Sequence, residues 1–224
     1  MNDTKYALIT GGSRGIGKAL AAQLASRGYH LLLVAGTEHL LHDTAETLQS
    51  LHPHIKIKYL AIDLSSDTAA QAVFDWSTPF HHQIHILANN AGVGINGHFT
   101  EKLLGQQLSV IDVNFRTLVA LSYLFVPILK SQKKAYLLNV ASTAAYQSVP
   151  YLTIYAASKA AVLSFSRGLK HELRNSSVSV SCLSPGSTDT NFADRAEMSA
   201  ALKKLAQKFN MSPEKVAAVA VEGL

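Results

Sequence analysis

Tyr155 and Lys159 are the side chains whose types and spacing most directly suggest chemistry. They lie four residues apart in "IYAASKAAVLSF", and positions i and i+4 are neighbours on one face of a helix. A free phenol has a pKa of about 10, and a nearby lysine cation favours the phenolate. The pair predicts a tyrosine with a pKa lowered toward neutrality that acts as a general acid or base. Such pairs are also common by chance on surface helices, so the rest of the sequence must decide.

A glycine-rich segment, "TGGSRGIGKALAAQLASRG", directly follows the first apolar run. Gly11, Gly15 and Gly17 let the backbone turn and approach a ligand with no Cβ in the way. The free N–H groups that open the next helix attract a pyrophosphate. The spacing Thr-Gly-x-x-x-Gly-x-Gly differs from the commoner G-x-G-x-x-G, and a glycine turn can be purely structural. Its position after the first strand predicts a dinucleotide-binding loop.

The elements that must position these residues alternate between strands and helices along the chain. Several apolar runs are apolar at nearly every residue, as strands buried on both faces require. Strands are predicted at 6–10, 30–35, 57–62, 84–89, 135–141 and 178–184. Helices are predicted at about 15–27, 38–51, 67–77, 102–130, 152–174 and 198–209. The pattern predicts an α/β fold with a doubly wound parallel sheet, as one domain over residues 1–224.

Composition argues against nucleic-acid-binding, secreted, membrane-spanning and metal-binding proteins. The net charge is +5, but Lys and Arg are scattered, which favours a solvated basic surface over nucleic-acid binding. The single cysteine, Cys182, cannot form an intrachain disulfide and fits a reducing cytosol. No secretory signal is visible, and the longest apolar stretch, 117–129, is shorter than the ~20 residues of a membrane span. Ten histidines occur without a metal-ligand spacing such as HExxH, so no metal site is predicted.

Taken together, the motifs resemble those of the short-chain dehydrogenases/reductases, in the branch with subunits of about this size. The resemblance runs from Tyr6 to Leu224 and rests on "TGGSRGIG" (10–17), "DL" (63–64), "NNAG" (89–92), Asn114, Ser142, "YAASK" (155–159) and "PGSTDT" (185–190). It implies a Rossmann fold and an oxidoreductase that transfers hydride between a nicotinamide cofactor and a carbonyl or alcohol. A nucleotide-binding regulatory protein on the same fold, without turnover, is the alternative.

The resemblance also implies roles for individual residues. Tyr155 corresponds to the proton donor, and Lys159 to the cation that lowers its pKa and holds the nicotinamide ribose. Ser142 corresponds to a second donor to the carbonyl oxygen, although it also fits an ordinary strand end. Asn114 corresponds to a residue that bends its helix and holds a water linked to the lysine. The implied cofactor contacts are Gly11, Ser13, Arg14, Gly15, Ile16, Gly17, Thr37, Asp63, Leu64, Asn90, Ala91, Gly92, Tyr155, Lys159, Pro185, Gly186, Thr188 and Thr190.

The end of the second strand bears on the choice of cofactor. NAD-preferring relatives carry an acidic residue where this chain has Ala35, and Arg14 supplies a cation beside the glycine loop. Thr37 offers a further hydroxyl, whereas Glu38 opposes a phosphate but is predicted to begin the next helix. NADP(H) is therefore expected to be preferred, with NAD possible.

The substrate and the assembly are less readable from the sequence. Segment 189–211 corresponds to the family's substrate lid, and its Phe192, Met198, Leu202 and Phe209 predict an amphipathic cover. Relatives usually add a final strand after the point where this sequence stops, so that strand is expected to be missing here. The apolar 117–129 stretch predicts a homodimer or homotetramer. A cytoplasmic enzyme acting on a small carbonyl or alcohol is expected.

Overall fold

A computed structural model describes residues 4–200, 203–204 and 210–224 of the chain. These residues form a six-stranded parallel sheet in the order β3-β2-β1-β4-β5-β6. The strands are β1 (Tyr6–Thr10), β2 (His30–Ala35), β3 (Ile57–Ala61), β4 (Ile84–Asn89), β5 (Ala135–Val140) and β6 (Val178–Leu183). The sequence predicted all six strands to within one residue at each end, so the predicted doubly wound sheet is confirmed.

Helices cover both faces of the sheet. They are α1 (Gly15–Ser26), α2 (Glu38–Leu51), α3 (Ala69–Ser77), α4 (Leu104–Ile111), α5 (Thr117–Lys130), α6 (Thr153–Glu172), α7 (Phe192–Arg195) and α8 (Pro213–Glu222). Strand side chains alternate between the two layers: Ala7 and Ile9 pack with α1, α2 and α8, while Tyr6 and Leu8 pack with α3 and α5. This period of two follows from the pleat of a strand and explains why the strands are apolar throughout.

The long helix predicted at 102–130 is more complex than the sequence suggested. Between α4 and α5 lies a π-helical turn, Asp112–Arg116, which inserts one extra residue per hydrogen-bonded turn around Asn114. Short 3-10 helices at 78–83, 99–101 and 143–146 were not predicted, nor was α7. Of the helix predicted at 198–209, Lys203 and Lys204 are helical, and most of the remainder lies outside the described residues.

The 27-residue stretch Leu104–Lys130 is the one described helical segment long and apolar enough to cross a membrane by length and composition. Core helices of soluble proteins meet the same criterion. Here Leu121, Phe125 and Leu129 are buried in the sheet layer shared with α3, so much of the apolar surface of 117–129 is already covered. Tyr123, in the same stretch, is 80% exposed, and the assembly predicted from 117–129 stays a prediction. The exposed apolar side chains of this segment are mainly on α4.

Strand β6 forms one edge of the sheet in the part of the chain that the structure describes. Its Ser181 hydroxyl donates a hydrogen bond of 2.8 Å to the Gly223 carbonyl, which ties the end of α8 to this edge. Ala217, Ala220 and Val221 of α8 are buried against α1 and the sheet.

Candidate active site

A cavity of about 650 Å³ opens at the carboxyl ends of the strands, where an open α/β sheet binds its ligands. All eighteen residues implied as cofactor contacts line it, and so does Ser142. Its volume lies within the ~300–1,000 Å³ typical of ligand pockets. Asn114 is the one site residue named from the sequence that does not line the cavity, because it lies behind Gly92 and Lys159.

The glycine loop forms a close backbone cradle in the wall of this cavity. Gly11 and Gly15 have φ angles of +69° and +52°, which favour glycine. A Cβ built on Gly17 would lie 2.1 Å from the Gly11 carbonyl oxygen, so no side chain fits there. Helix α1 begins at Gly15, and its N-cap residue Arg14 makes no side-chain cap, which leaves the first N–H groups free to bind a ligand. This cradle fits the pyrophosphate of a dinucleotide.

The turn after β4 is locked onto the glycine loop. The Thr10 hydroxyl accepts hydrogen bonds of 3.0 Å from the backbone N–H groups of Asn90 and Ala91. The Asn90 amide donates to the Thr10 carbonyl at 2.8 Å. Through these bonds, the carboxyl ends of β1 and β4 are held together beside the cradle.

The far end of the cavity is formed by residues after β2 and β3. Arg14 Nη2 lies 3.4 Å from the Thr37 hydroxyl, and both residues line the cavity. Asp63 accepts bonds of 2.9 and 2.8 Å from the backbone and hydroxyl of Ser65, which fix its carboxylate. Glu38 is the first residue of α2, as predicted from the sequence. It is exposed and does not line the cavity.

The other end of the cavity brings together Ser142, Tyr155 and Lys159. Ser142 follows β5 and caps a short 3-10 helix by accepting a bond from the Ala144 N–H at 3.1 Å. Tyr155 and Lys159 lie on the first turns of α6, on one face as their spacing predicted. Lys159 is 3% exposed, and its ammonium donates to the Val140 carbonyl at 2.8 Å.

The pKa values at this end differ from the sequence expectation. Burial raises the pKa of the Tyr155 phenol, and a hydrogen bond with Ser142 partly offsets this rise. Burial lowers the pKa of Lys159 to about 8. The Lys159 ammonium lies 5.9 Å from the centre of the Tyr155 ring. The pKa of Tyr155 was expected to be lowered, but in this structure desolvation outweighs the hydrogen bond and the direction is opposite.

Asn114 is 1% exposed, so it is not an ordinary exposed helix residue. Its Oδ1 accepts a bond of 2.8 Å from the Val93 N–H, and its Nδ2 donates to the Val93 carbonyl and the Ser158 hydroxyl at 2.9 Å each. A Cβ built on Gly92 would lie 3.2 Å from Lys159 Nζ and 3.6 Å from Asn114 Oδ1. Asn114 therefore fixes the segment after β4 that contains Gly92 and Val93, beside Lys159.

Several lining residues were not identified from the sequence as contacts. Val93, Leu152 and Met198 contribute apolar side chains to the lining of the cavity. Phe192, expected only as part of a cover, stacks 5.1 Å from the Tyr155 ring. Arg195 also lines the cavity, and no motif marks it. Among the described residues, no group of three His, Cys, Asp or Glu side chains could hold a metal ion.

Comparison with known proteins agrees with this architecture. The family model described as short chain dehydrogenase matches residues 5–201. The uncharacterized oxidoreductase DltE of Bacillus subtilis (strain 168) is 32% identical over 194 residues, covering 84% of this chain and 73% of DltE. This chain belongs to the short-chain dehydrogenase family and is an oxidoreductase of that family by descent.

Two solved structures illustrate the similarity in three dimensions. A short-chain dehydrogenase from Sphingobium yanoikuyae in complex with NADPH is 28% identical with a TM-score of 0.87, covering 98% of this chain and 84% of that chain. A short chain dehydrogenase/reductase from Burkholderia phymatum in complex with NAD is 31% identical with a TM-score of 0.86, covering 98% and 85%. The two neighbours hold different cofactors.

Proposed function

We propose that this protein is an NADPH-dependent reductase of carbonyl compounds, or the corresponding alcohol dehydrogenase, with Tyr155 as the general acid or base. One observation carries the proposal: Ser142, Tyr155 and Lys159 converge at one end of a cavity whose wall also contains a pyrophosphate cradle. Such a cavity can hold a dinucleotide with its reactive end beside a proton donor. The NADPH-bound and NAD-bound neighbours support a nicotinamide cofactor.

The proposed chemistry gives a role to each polar group at the end of the cavity that contains Tyr155. A bound nicotinamide supplies hydride to the carbonyl carbon. Tyr155 gives its proton to the carbonyl oxygen, and Ser142 donates a hydrogen bond to the same oxygen as negative charge develops. Because burial raises its pKa, Tyr155 is protonated at neutral pH and ready to act as an acid. The Lys159 cation, present below about pH 8, stabilises the phenolate that remains and holds the nicotinamide ribose. Asn114 positions this end through Val93 and Ser158.

The cofactor-contact residues divide by the part of the dinucleotide they reach. In this proposal the glycine loop binds the pyrophosphate, and Asp63 and Leu64 bind the adenine. Residues 90–92 border the adenosine ribose, and residues 185–190, including Thr188 and Thr190, hold the carboxamide end. NADPH is preferred to NADH because Ala35 presents no carboxylate and Arg14 is a cation at the same end of the cavity. Glu38 is exposed and does not line the cavity, so its carboxylate does not oppose a 2′-phosphate bound there.

Segment 189–211 is proposed as the substrate lid. Its described part places Phe192 between Tyr155 and Gly94, where a Cβ on Gly94 would lie 2.7 Å from Phe192 Cζ. With Val93 and Leu152, this ring makes the substrate end of the cavity largely apolar. A carbonyl compound with an apolar substituent fits this wall. Two lid residues named from the sequence, Leu202 and Phe209, lie outside the described residues.

We also propose a cytoplasmic homodimer or homotetramer. Leu104, Leu108 and Ile111 of α4 follow one another at i, i+4 and i+7 and are 67%, 47% and 37% exposed. An apolar stripe of this kind on a helix end is typical of a surface that is covered in an assembly. The lone cysteine, Cys182, is free, as expected for a reducing compartment.

The direct test is a panel of aldehydes and ketones assayed with NADPH and NADH in parallel by loss of reduced-nicotinamide absorbance. The panel should grade the carbonyl substituents from charged to apolar. We expect turnover with NADPH on at least one apolar carbonyl, and slower or weaker use of NADH. Tight NADPH binding without turnover on any carbonyl or alcohol would instead support the regulatory alternative.

A further inference from the structure

The charges that line the cavity are unbalanced. Among the described lining residues, Arg14, Lys159 and Arg195 are cations, and Asp63 is the one carboxylate. Asp63 is fixed by Ser65, and the Lys159 ammonium is bound to the Val140 carbonyl. Arg14 and Arg195 are therefore the two cations available to an anionic ligand.

Arg195 differs from its charged neighbours on α7 and beyond. Asp194 pairs with Lys203 at 2.6 Å, and Glu197 pairs with Lys102 at 2.7 Å. Both acidic neighbours are thus committed to lysines that do not line the cavity. Within the described ranges, the Arg195 guanidinium has no carboxylate partner. Arg195 is exposed where it lines the cavity, so its guanidinium is accessible to an anionic ligand.

Arg14 and Arg195 line the same cavity. Burial and the charge of Arg14 both lower the pKa of the Arg195 guanidinium. Negative charge on a ligand in this cavity would offset the repulsion between the two cations. Thr190, which precedes Arg195 in the same segment, contacts the glycine loop, because a Cβ on Gly15 would lie 2.8 Å from Thr190 Cγ2.

The turn that bears Arg195 is well anchored. The Asn96 N–H donates to the Ala196 carbonyl at 2.8 Å, and Lys102 holds Glu197. At the base of the segment, the Met211 N–H donates to the Ser187 carbonyl at 2.9 Å. These bonds hold the turn beside the cavity, so that a ligand does not have to order it from a free loop.

Resting on the dinucleotide binding of the proposed function, we propose that Arg195 binds the cofactor pyrophosphate from the side opposite the start of α1. The glycine loop and α1 then contact one side of the phosphates, and the lid residue Arg195 closes the other side with a charge-assisted hydrogen bond. Arg14 has a separate task, because it reads the 2′-phosphate that only NADP(H) carries. Arg195 therefore contributes affinity without selecting between the two cofactors.

Calorimetric titration of Arg195→Gln tests this assignment with four ligands: NADPH, NADH, ADP-ribose and 2′-AMP. ADP-ribose has the pyrophosphate and no nicotinamide, whereas 2′-AMP has the 2′-phosphate and no pyrophosphate. We expect Kd to rise about tenfold for the first three ligands alike and to stay unchanged for 2′-AMP. Arg195→Lys, which keeps the charge but loses the planar fork, should show the same pattern with a smaller loss.

Lys204→Gln is the matched control, since it removes one charge from the same segment at an exposed residue that does not line the cavity, and it leaves the Asp194–Lys203 pair intact; it should leave all four Kd values unchanged. Unchanged Kd values in Arg195→Gln, alone or with a raised KM for an acidic carbonyl substrate, would overturn the assignment. A loss confined to NADPH and 2′-AMP would also overturn it, because Arg195 would then read the 2′-phosphate. Failure of the wild-type chain to bind any dinucleotide would refute the proposed function itself, before the variants are compared.

Discussion

Replacing Arg14 with alanine should weaken NADPH binding much more than NADH binding. The Arg14 guanidinium is partly buried and lines the cavity beside Thr37. Its contact with the Thr37 hydroxyl is long, at 3.4 Å. The guanidinium can therefore turn to a 2′-phosphate at little cost. A charge-assisted hydrogen bond contributes about 1.5–3 kcal/mol, which corresponds to roughly a ten- to hundredfold loss of NADPH affinity in the variant.

The assay is a fluorescence titration of both reduced cofactors at one ionic strength, because salt screens such contacts. Ala35→Asp should reverse the preference, since its carboxylate repels the 2′-phosphate and can accept bonds from ribose hydroxyls. Ala35→Asn is the matched control of similar size without the charge, and it should not reverse the preference. Equal losses for NADPH and NADH in Arg14→Ala would refute the reasoning, because the phosphate would then be read elsewhere or not at all.

Three further predictions concern the buried lysine, the cradle and the assembly. Lys159 has a pKa of about 8, so its cation is present below that pH and lost above it. The value of kcat/KM for NADPH, which reports the free enzyme, should therefore fall above about pH 8. Lys159→Ala should impair both cofactor binding and turnover. Gly17→Ala should abolish cofactor binding, because the added Cβ would lie 2.1 Å from the Gly11 carbonyl oxygen. The control, Gly168→Ala, adds a Cβ in open space on helix α6, so its free energy of unfolding, measured by denaturant titration, should rise by up to ~1 kcal/mol. The wild type should run as a dimer or tetramer by light scattering at micromolar concentration, and Leu108→Glu should shift it toward the monomer; a monomeric wild type would contradict the proposed interface.

The sheet was predictable because its determinants are local. Strands buried on both faces must be apolar at nearly every position, and each is bounded by polar or glycine-rich segments. The start of α2 at Glu38 was also readable, and it explains why Glu38 stays off the cavity lining. Because parallel strands place their carboxyl ends on one edge, motifs far apart in the sequence could be predicted to meet there.

The parts that the sequence did not reveal depend on packing between distant segments. The resemblance implied a helix bend at Asn114, but its π geometry and the bonds of Asn114 to Val93 and Ser158 involve distant segments, which no local pattern encodes. The direction of the Tyr155 pKa shift depends on burial by neighbours such as Phe192, whereas the i, i+4 spacing gives only the proximity of the lysine. Arg195 carries no motif, and only its place on the cavity wall, without a paired carboxylate, distinguishes it from other surface arginines.

Single-turnover reduction by Tyr155→Phe tests the central claim most directly, with NADPH affinity measured on the same preparation. The phenylalanine ring still packs against Phe192, but it carries no proton to donate. Using a carbonyl that the wild type reduces, we predict a loss of about 10²–10⁴-fold in the rate of reduction, with NADPH binding retained. Wild-type reduction rates in Tyr155→Phe would contradict the account, because the proton would then come from another group.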